Sequence, residues 1–422
     1  MKQKFLTVIQ PLYKSRNNNS YDIRIRMRLE GEVDPAVLRE AVDLTMGRYP
    51  YFCVKLVEDE DGFAFLDNPA SVVIGDSSKG IELNSEQSNY HMISFSRYDN
   101  WIIIDIFHGL TDGTGAYEVI RTFLYYYCST RYNVKLSREG IRTLEDDIPM
   151  EEWECPVAKM INELPTPTRH EMPAALNIIA AAKLKTEKYS VAYSVVAGES
   201  AFMSFCKENA ASPATMVSLL SSRAIAKLFP NAKEPIRIVL PVNQRKALHA
   251  PLAHQNLVGG AVVEYKEELR KLPLREQIKA YREMVAYQTK EENMLAGVAN
   301  MAGLTKMILS KTDTAERLKL ARSVDNMASH LGTACVSYVG KANFKDAEKY
   351  VREFHVWSYN SFPITIEVSA VNGKFYFDIF QKFHGSLFVD AFFKELAKHG
   401  LSCELQDEIP REMANIKLPW NE

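Results

Sequence analysis

His108-Gly-Leu-Thr-Asp112-Gly113 is the stretch of this sequence whose residue types and spacing best suit catalysis. An unperturbed histidine has a pKa of ~6.5, so near neutral pH it can take a proton from a hydroxyl or amine and pass it on. Asp112, four residues later in a tight turn, can fold back onto backbone amides or hold a cation. Gly113 and Gly115 permit positive φ and close approach of a second backbone. Of the nine histidines, only His108 has Asp at the fourth following position. Requiring Gly next lowers the chance expectation to about a few per cent, with Gly at ~7% of residues. The plain alternative is a helix-entry turn whose His and Asp merely satisfy backbone groups.

The motif is flanked by elements able to hold it rigidly. Trp101 to Phe107 is an apolar run broken only by Asp105, as expected of a central strand covered on both faces. After the motif, Val119, Ile120, Phe123, Leu124 and Tyr127 recur at helical spacing. Further upstream, Ile23, Ile25, Met27 and Leu29 alternate with Arg24, Arg26 and Arg28, which predicts a half-buried strand. The arginine stripe could touch a phosphate, but a solvated strand face is the default for such a pattern. Asp34-Pro35 then opens a helix that Gly47 and Pro50 close. Strands near 52–57, 63–66 and 91–96 follow.

Between about 145 and 175, Pro149, Pro156, Pro165, Pro167 and Pro173 join the acidic cluster Glu145, Asp146, Asp147, Glu151 and Glu152. Proline removes amide donors and fixes the backbone, so this stretch reads as a crossover with at most short helices. It divides the chain into 1–170 and 171–422. In the second part Ser212-Pro213 opens a helix, Ile236–Val242 and Ala261–Tyr265 read as strands, and 274–310 is mostly helical. Residues 362–383 form the clearest hairpin, two alternating runs joined by Asn372-Gly373. Ser386 is expected to cap a last helix ending at Gly400.

Other residues carry weaker signals. His249 and His254 follow Arg245 and could line a tunnel, but they read as ordinary loop histidines and, lacking a nearby carboxylate or Cys, make no metal site. Tyr125-Tyr126-Tyr127 reads as core plus surface, and Trp357, Tyr359 and Phe362 as core before acyl pocket. The 422-residue chain is long enough for two subdomains. A formal net charge of −2 gives no argument for nucleic acid or an anionic membrane. The six scattered cysteines suggest free thiols in a reducing compartment. The N-terminal apolar run is too short for a secretory leader or a spanning helix, so a soluble cytoplasmic protein is expected.

The chain resembles the superfamily of chloramphenicol acetyltransferase, nonribosomal-peptide condensation domains, wax ester synthases and alcohol acetyltransferases. That superfamily carries His-His-x-x-x-Asp-Gly here with the second His catalytic. This sequence keeps the second as His108 and has Phe107 in place of the first. The resemblance covers nearly the whole chain. Gly31 to Val42 with Arg48-Tyr49-Pro50 looks like the family's opening elements, and Ile238-Val-Leu-Pro-Val-Asn-Gln-Arg245, with Asn256 and Gly259, like its second-half strand. Ser337-Tyr-Val-Gly340 looks like its later Ser-x-x-Gly element, whereas the Asp-Phe-Gly-Trp-Gly of plant-type relatives is absent.

The resemblance implies an α/β fold with mixed sheets, in which two chloramphenicol-acetyltransferase-like subdomains form a V with a tunnel along the seam. It implies acyl transfer from acyl-CoA or a phosphopantetheinyl carrier-protein thioester to a small hydroxyl or amine acceptor, with no permanently bound cofactor. His108 would be the general base, Asp112 would pair with Arg245, and the Gly113 amide would lie near the oxyanion. Ser337 and Asn256 would be further oxyanion or tunnel residues. A carrier-dependent condensation enzyme and a non-catalytic small-molecule-binding member of the fold are the alternatives.

Overall fold

The computed structural model describes residues 2–4, 22–59, 62–167, 172–186, 190–358, 362–406 and 409–410. In the first part lie β1 (Lys2–Lys4), β2 (Asp22–Leu29), β3 (Val54–Asp59), β4 (Gly62–Asp67), β5 (Ile74–Gly75), β6 (Ile93–Tyr98) and β7 (Trp101–Phe107). Asp34 accepts from the amides of Ala36 and Val37 and starts the helix Pro35–Arg48. The helix Gly113–Arg131 follows the histidine turn. These two helices cover one face of the sheet, and Ile23, Ile25, Ile102, Ile104, Val42 and Phe123 pack between them.

The proline-rich stretch contains the short helix Pro156–Met160 and the 3-10 turn Met150–Glu152. Beyond it come β8 (Val191–Gly198), β9 (Ile236–Asn243), β10 (Val258–Tyr265), β11 (Ala334–Tyr338), β12 (Val351–Ser358), β13 (Ile364–Val371), β14 (Lys374–Gln381), β15 (Cys403–Leu405) and β16 (Ile409–Pro410). Most of them build a second sheet in the order β10-β9-β11-β13-β14-β8-β15, with β16 on β8. Asn372 and Gly373 take φ of 47° and 78°, the double left-handed turn that the β13–β14 hairpin needs. Helices Glu199–Glu208, Pro213–Leu228, Leu274–Gln288 and Leu387–Lys398 contribute to this second core. Ser386 takes the N-cap position of the last of them, but its side chain accepts from no helix amide; its hydroxyl instead donates to Asp390 at 2.7 Å.

One strand crosses the sequence order. The first sheet runs β12-β2-β7-β6-β5, so its edge comes from residues 351–358. Consequently β2 lies between β12 and β7, and its arginines do not form a solvated face. Arg24 is 1% exposed and donates to Asp105 at 2.7 and 3.1 Å and to the Lys79 carbonyl at 2.7 Å. Alternation alone marks two faces; it does not reveal that a neighbouring strand and the 76–85 loop cover the polar one. Among the described residues no helix is long and apolar enough to cross a membrane.

Candidate active site

β7 ends at Phe107, and Asp112 caps the following helix, accepting from the amides of Thr114 (3.0 Å) and Gly115 (3.1 Å). The four residues between are therefore fixed at both ends. His108 Nδ1 lies 3.1 Å from the Thr111 carbonyl oxygen. A carbonyl can only accept, so this contact favours the Nδ1–H tautomer, which leaves the imidazole lone pair on Nε2. Burial lowers the His108 pKa from 6.5, the nearby carbonyls and Asp112 opposing it only in part, so the ring is neutral at pH 7.

Asp112 also meets the second half of the chain. Arg245 Nη1 and Nη2 reach its two carboxylate oxygens at 2.8 and 2.9 Å, and the Leu257 amide donates to it at 2.9 Å. Both side chains are buried, at 0% and 5% exposure. The remaining guanidinium donors go to the Ala253 carbonyl at 2.7 Å, the Gln255 carbonyl at 2.9 Å and Asn243 Oδ1 at 3.3 Å. The pair thus ties the helix start, β9 and the 253–257 loop into one unit. A planar fork on a carboxylate suits this positioning task.

Asn256, in that loop, donates from Nδ2 to the His108 carbonyl at 2.8 Å, with the same nitrogen 3.1 Å from Nδ1. His108, Asp112, Gly113, Arg245 and Asn256 are therefore brought together. Ser337 lies on β11 opposite Glu367, two residues before Val339, whose side chain abuts Gly113. Neither Gly113 nor Gly115 has positive φ. Their function is space: a Cβ on Gly113 would strike Val339, and one on Gly115 the His254 carbonyl and Thr111. Gly113→Ala should therefore cost about 1–3 kcal/mol of stability by overpacking. Urea melts should show Val339→Ala restoring most of it; additive losses in the double variant would show that the clash is not the cause.

Sequence reasoning missed the layer behind this site. Glu152, in the crossover, accepts from Arg48 at 2.7 and 2.9 Å, from Arg142 at 2.5 Å and from the Tyr51 hydroxyl at 2.7 Å. His254 contacts that hydroxyl through Nδ1 at 2.6 Å, and its amide donates to the Glu152 carbonyl at 2.8 Å. Its own carbonyl accepts from Thr111 Oγ1 at 2.6 Å. His254 is therefore no ordinary loop residue, whereas His249 is exposed near Glu291. The Tyr51–His254 contact in the group spans 203 positions, which no local pattern reveals. Tyr359, one of the aromatic candidates, lies outside the described residues. Trp357 packs against Phe380, and Tyr127 stacks on Phe123. All six cysteines are free, and among the described residues no three His, Cys, Asp or Glu groups are placed to hold a metal.

Burial holds the His254 pKa down at about 4. Between pH 6.5 and 4 the unfolded chain binds a proton that the folded chain does not, so stability falls as pH drops through that window. The full effect is about 3 kcal/mol at 1.36 kcal/mol per unit. Urea melts at pH 7 and pH 5 should show a steeper loss for the wild type than for His254→Gln; parallel losses would contradict the assignment.

No family model matches the chain, and no curated protein matches it by sequence. Solved structures do share its shape. Polyketide synthase associated protein 5 from Mycobacterium tuberculosis aligns over 94% of this chain and 98% of its own, with 14% identity and a TM-score of 0.59. The condensation domain of the Monacolin K polyketide synthase MokA aligns over 94% and 97%, with 11% identity and a TM-score of 0.60. TRI101 of F. sporotrichioides, complexed with Coenzyme A and T-2, aligns over 95% and 99%, with 12% identity and a TM-score of 0.57. The fold of this chain is the mixed α/β fold of these condensation domains and of TRI101, here with sheets of three, eight and five strands among the described residues.

Proposed function

We propose that this chain transfers an acyl group from a CoA or carrier-protein thioester to a small hydroxyl or amine acceptor, with His108 as general base. The observation that carries the reading is the contact of His108 Nδ1 with the Thr111 carbonyl, on a turn clamped by the Asp112–Arg245 pair. In this mechanism His108 Nε2 takes the proton of the acceptor as its oxygen or nitrogen attacks the thioester carbonyl carbon. The carbonyl π electrons move to oxygen, and the Gly113 amide and Ser337 hydroxyl are the proposed donors to that oxyanion. The oxyanion re-forms the carbonyl, the C–S bond breaks, and the imidazolium returns its proton to the departing thiolate. Asp112 and Arg245 hold the turn, and Asn256 holds the His108 carbonyl; none of the three handles a proton.

We assign the two substrates to opposite mouths of a tunnel between the part before residue 170 and the part after it. The fold shared with condensation domains and with the Coenzyme A-complexed TRI101 supports both kinds of donor. The test is thiol release from a panel of acyl-CoAs against pooled alcohols and amines, repeated with acyl-phosphopantetheinyl carrier protein. Acceptor-dependent release from free acyl-CoA supports the first donor, and release only from the carrier supports the second. No release from either, with acyl ligands still bound, would leave the non-catalytic alternative.

A further inference from the structure

The face of the first sheet that carries the β2 arginines holds a cation, Arg26, that no carboxylate among the described residues pairs with. Arg24 is paired with Asp105, Arg28 with Glu353, and His355 with Asp378 at 3.0 Å. Asp378 also accepts from Ser194 at 2.7 Å, and Glu353 lies 3.5 Å from His355 Nε2. Those carboxylates raise the His355 pKa to about 9 against the effect of burial, so it is cationic at neutral pH. Among the described residues Arg24, Arg28 and His355 are thus each paired with a carboxylate, and Arg26 is not. Asp378 and Glu353 are close enough for their charges to act on Arg26, yet neither pairs with it.

Arg26 is instead held by aromatic rings. Its guanidinium carbon lies 4.7 Å from the Trp101 ring centroid and 4.5 Å from that of Trp357. The rings come from the two strands flanking β2, Trp101 from β7 and Trp357 from β12. Rings over a planar guanidinium leave its in-plane N–H edge as the route for hydrogen bonding. None of the Arg26 nitrogens is both buried and unpartnered, and the side chain is partly exposed, so that edge reaches solvent. A partly desolvated guanidinium with its edge open matches a bidentate oxyanion in shape and charge. Arg26 stands opposite Ile103 on β7, five residues or roughly 16 Å along the strand from His108 at ~3.3 Å per residue.

We propose that Arg26, stacked between Trp101 and Trp357, is a binding site for the oxyanion of a small ligand, a carboxylate or a phosphate, separate from the histidine turn. The two tryptophans, of four in the chain, supply the readout. Tryptophan emission of the full chain is followed as inorganic phosphate or succinate replaces chloride at constant ionic strength. A saturable change is expected with at least one of them, weakened at least tenfold in Arg26→Gln and also in Arg26→Lys, which keeps the charge and loses the fork. Saturation by phosphate alone assigns a phosphate-bearing ligand, and by succinate alone a carboxylate. No saturable response to either anion overturns the proposal, as does equal affinity in Arg26→Gln. If Arg26→Gln fails to fold, Arg26→Lys decides, and wild-type affinity in that variant overturns it.

Discussion

Replacing His108 with alanine is expected to lower acyl transfer by about 10²–10⁴-fold, the range that a positioned general base contributes. The fold should survive, because the loss removes one partly accessible ring while the Asp112–Arg245 clamp still holds the turn. The pH profile is the sharper readout. Burial lowers the His108 pKa from 6.5, so transfer should hold to lower pH than an unperturbed histidine base would allow. It should fall only on the acid side, as the imidazole takes up its proton. Transfer by a folded His108→Ala variant within twofold of wild type would remove the base assignment. A profile falling between pH 8 and 7 would show that another group titrates in the rate-limiting step.

The largest stability effect is expected at Asp112. Two guanidinium nitrogens and the amides of Thr114, Gly115 and Leu257 converge on its two oxygens. Asn at this position keeps the shape, but its NH2 must face at least one of those donors. It also leaves the Arg245 charge buried and unpaired, and breaking such a pair costs about 3–5 kcal/mol. Arg245→Ala should cost a similar amount by stranding the carboxylate, and Arg245→Lys should recover little because it cannot donate bidentately. Since the two residues act as one unit, the double variant should lose much less than the sum of the singles. Equilibrium urea melts measure all four; losses below about 1 kcal/mol for Asp112→Asn would be outside the range for a buried pair.

The same convergence explains what was legible in the sequence. His108, Asp112 and Gly113 lie within six consecutive residues and are positioned by local geometry, a strand end and a helix cap. Arg245 stands in a second recognisable stretch, so that pair could be named before its 2.8 Å contact was seen. Helices with Asp34-Pro35 and Ser212-Pro213 starts, and the Asn372-Gly373 hairpin, are likewise governed by neighbours in sequence. The Glu152 network has no such basis, since it is assembled from Arg48, Tyr51, Arg142 and His254 by folding alone. The arginines of β2 were misread for a related reason. Their alternation identified the polar side of a strand, while the partners that bury it come from β7, β12 and the 76–85 loop.

That borrowed edge strand also constrains how the protein is made. Arg28 and Glu353, which pair across β2 and β12, stand 325 positions apart. A ribosome therefore releases β2, β6 and β7 long before the strand that completes their sheet exists. Until β12 emerges, one side of β2 presents unpaired backbone and Arg26 lacks one of its two rings. An open strand edge is the feature most prone to wrong pairing, and contacts of such long range form late. A nascent chain halted anywhere before residue 351 should accordingly be a client for chaperones, however complete its histidine turn.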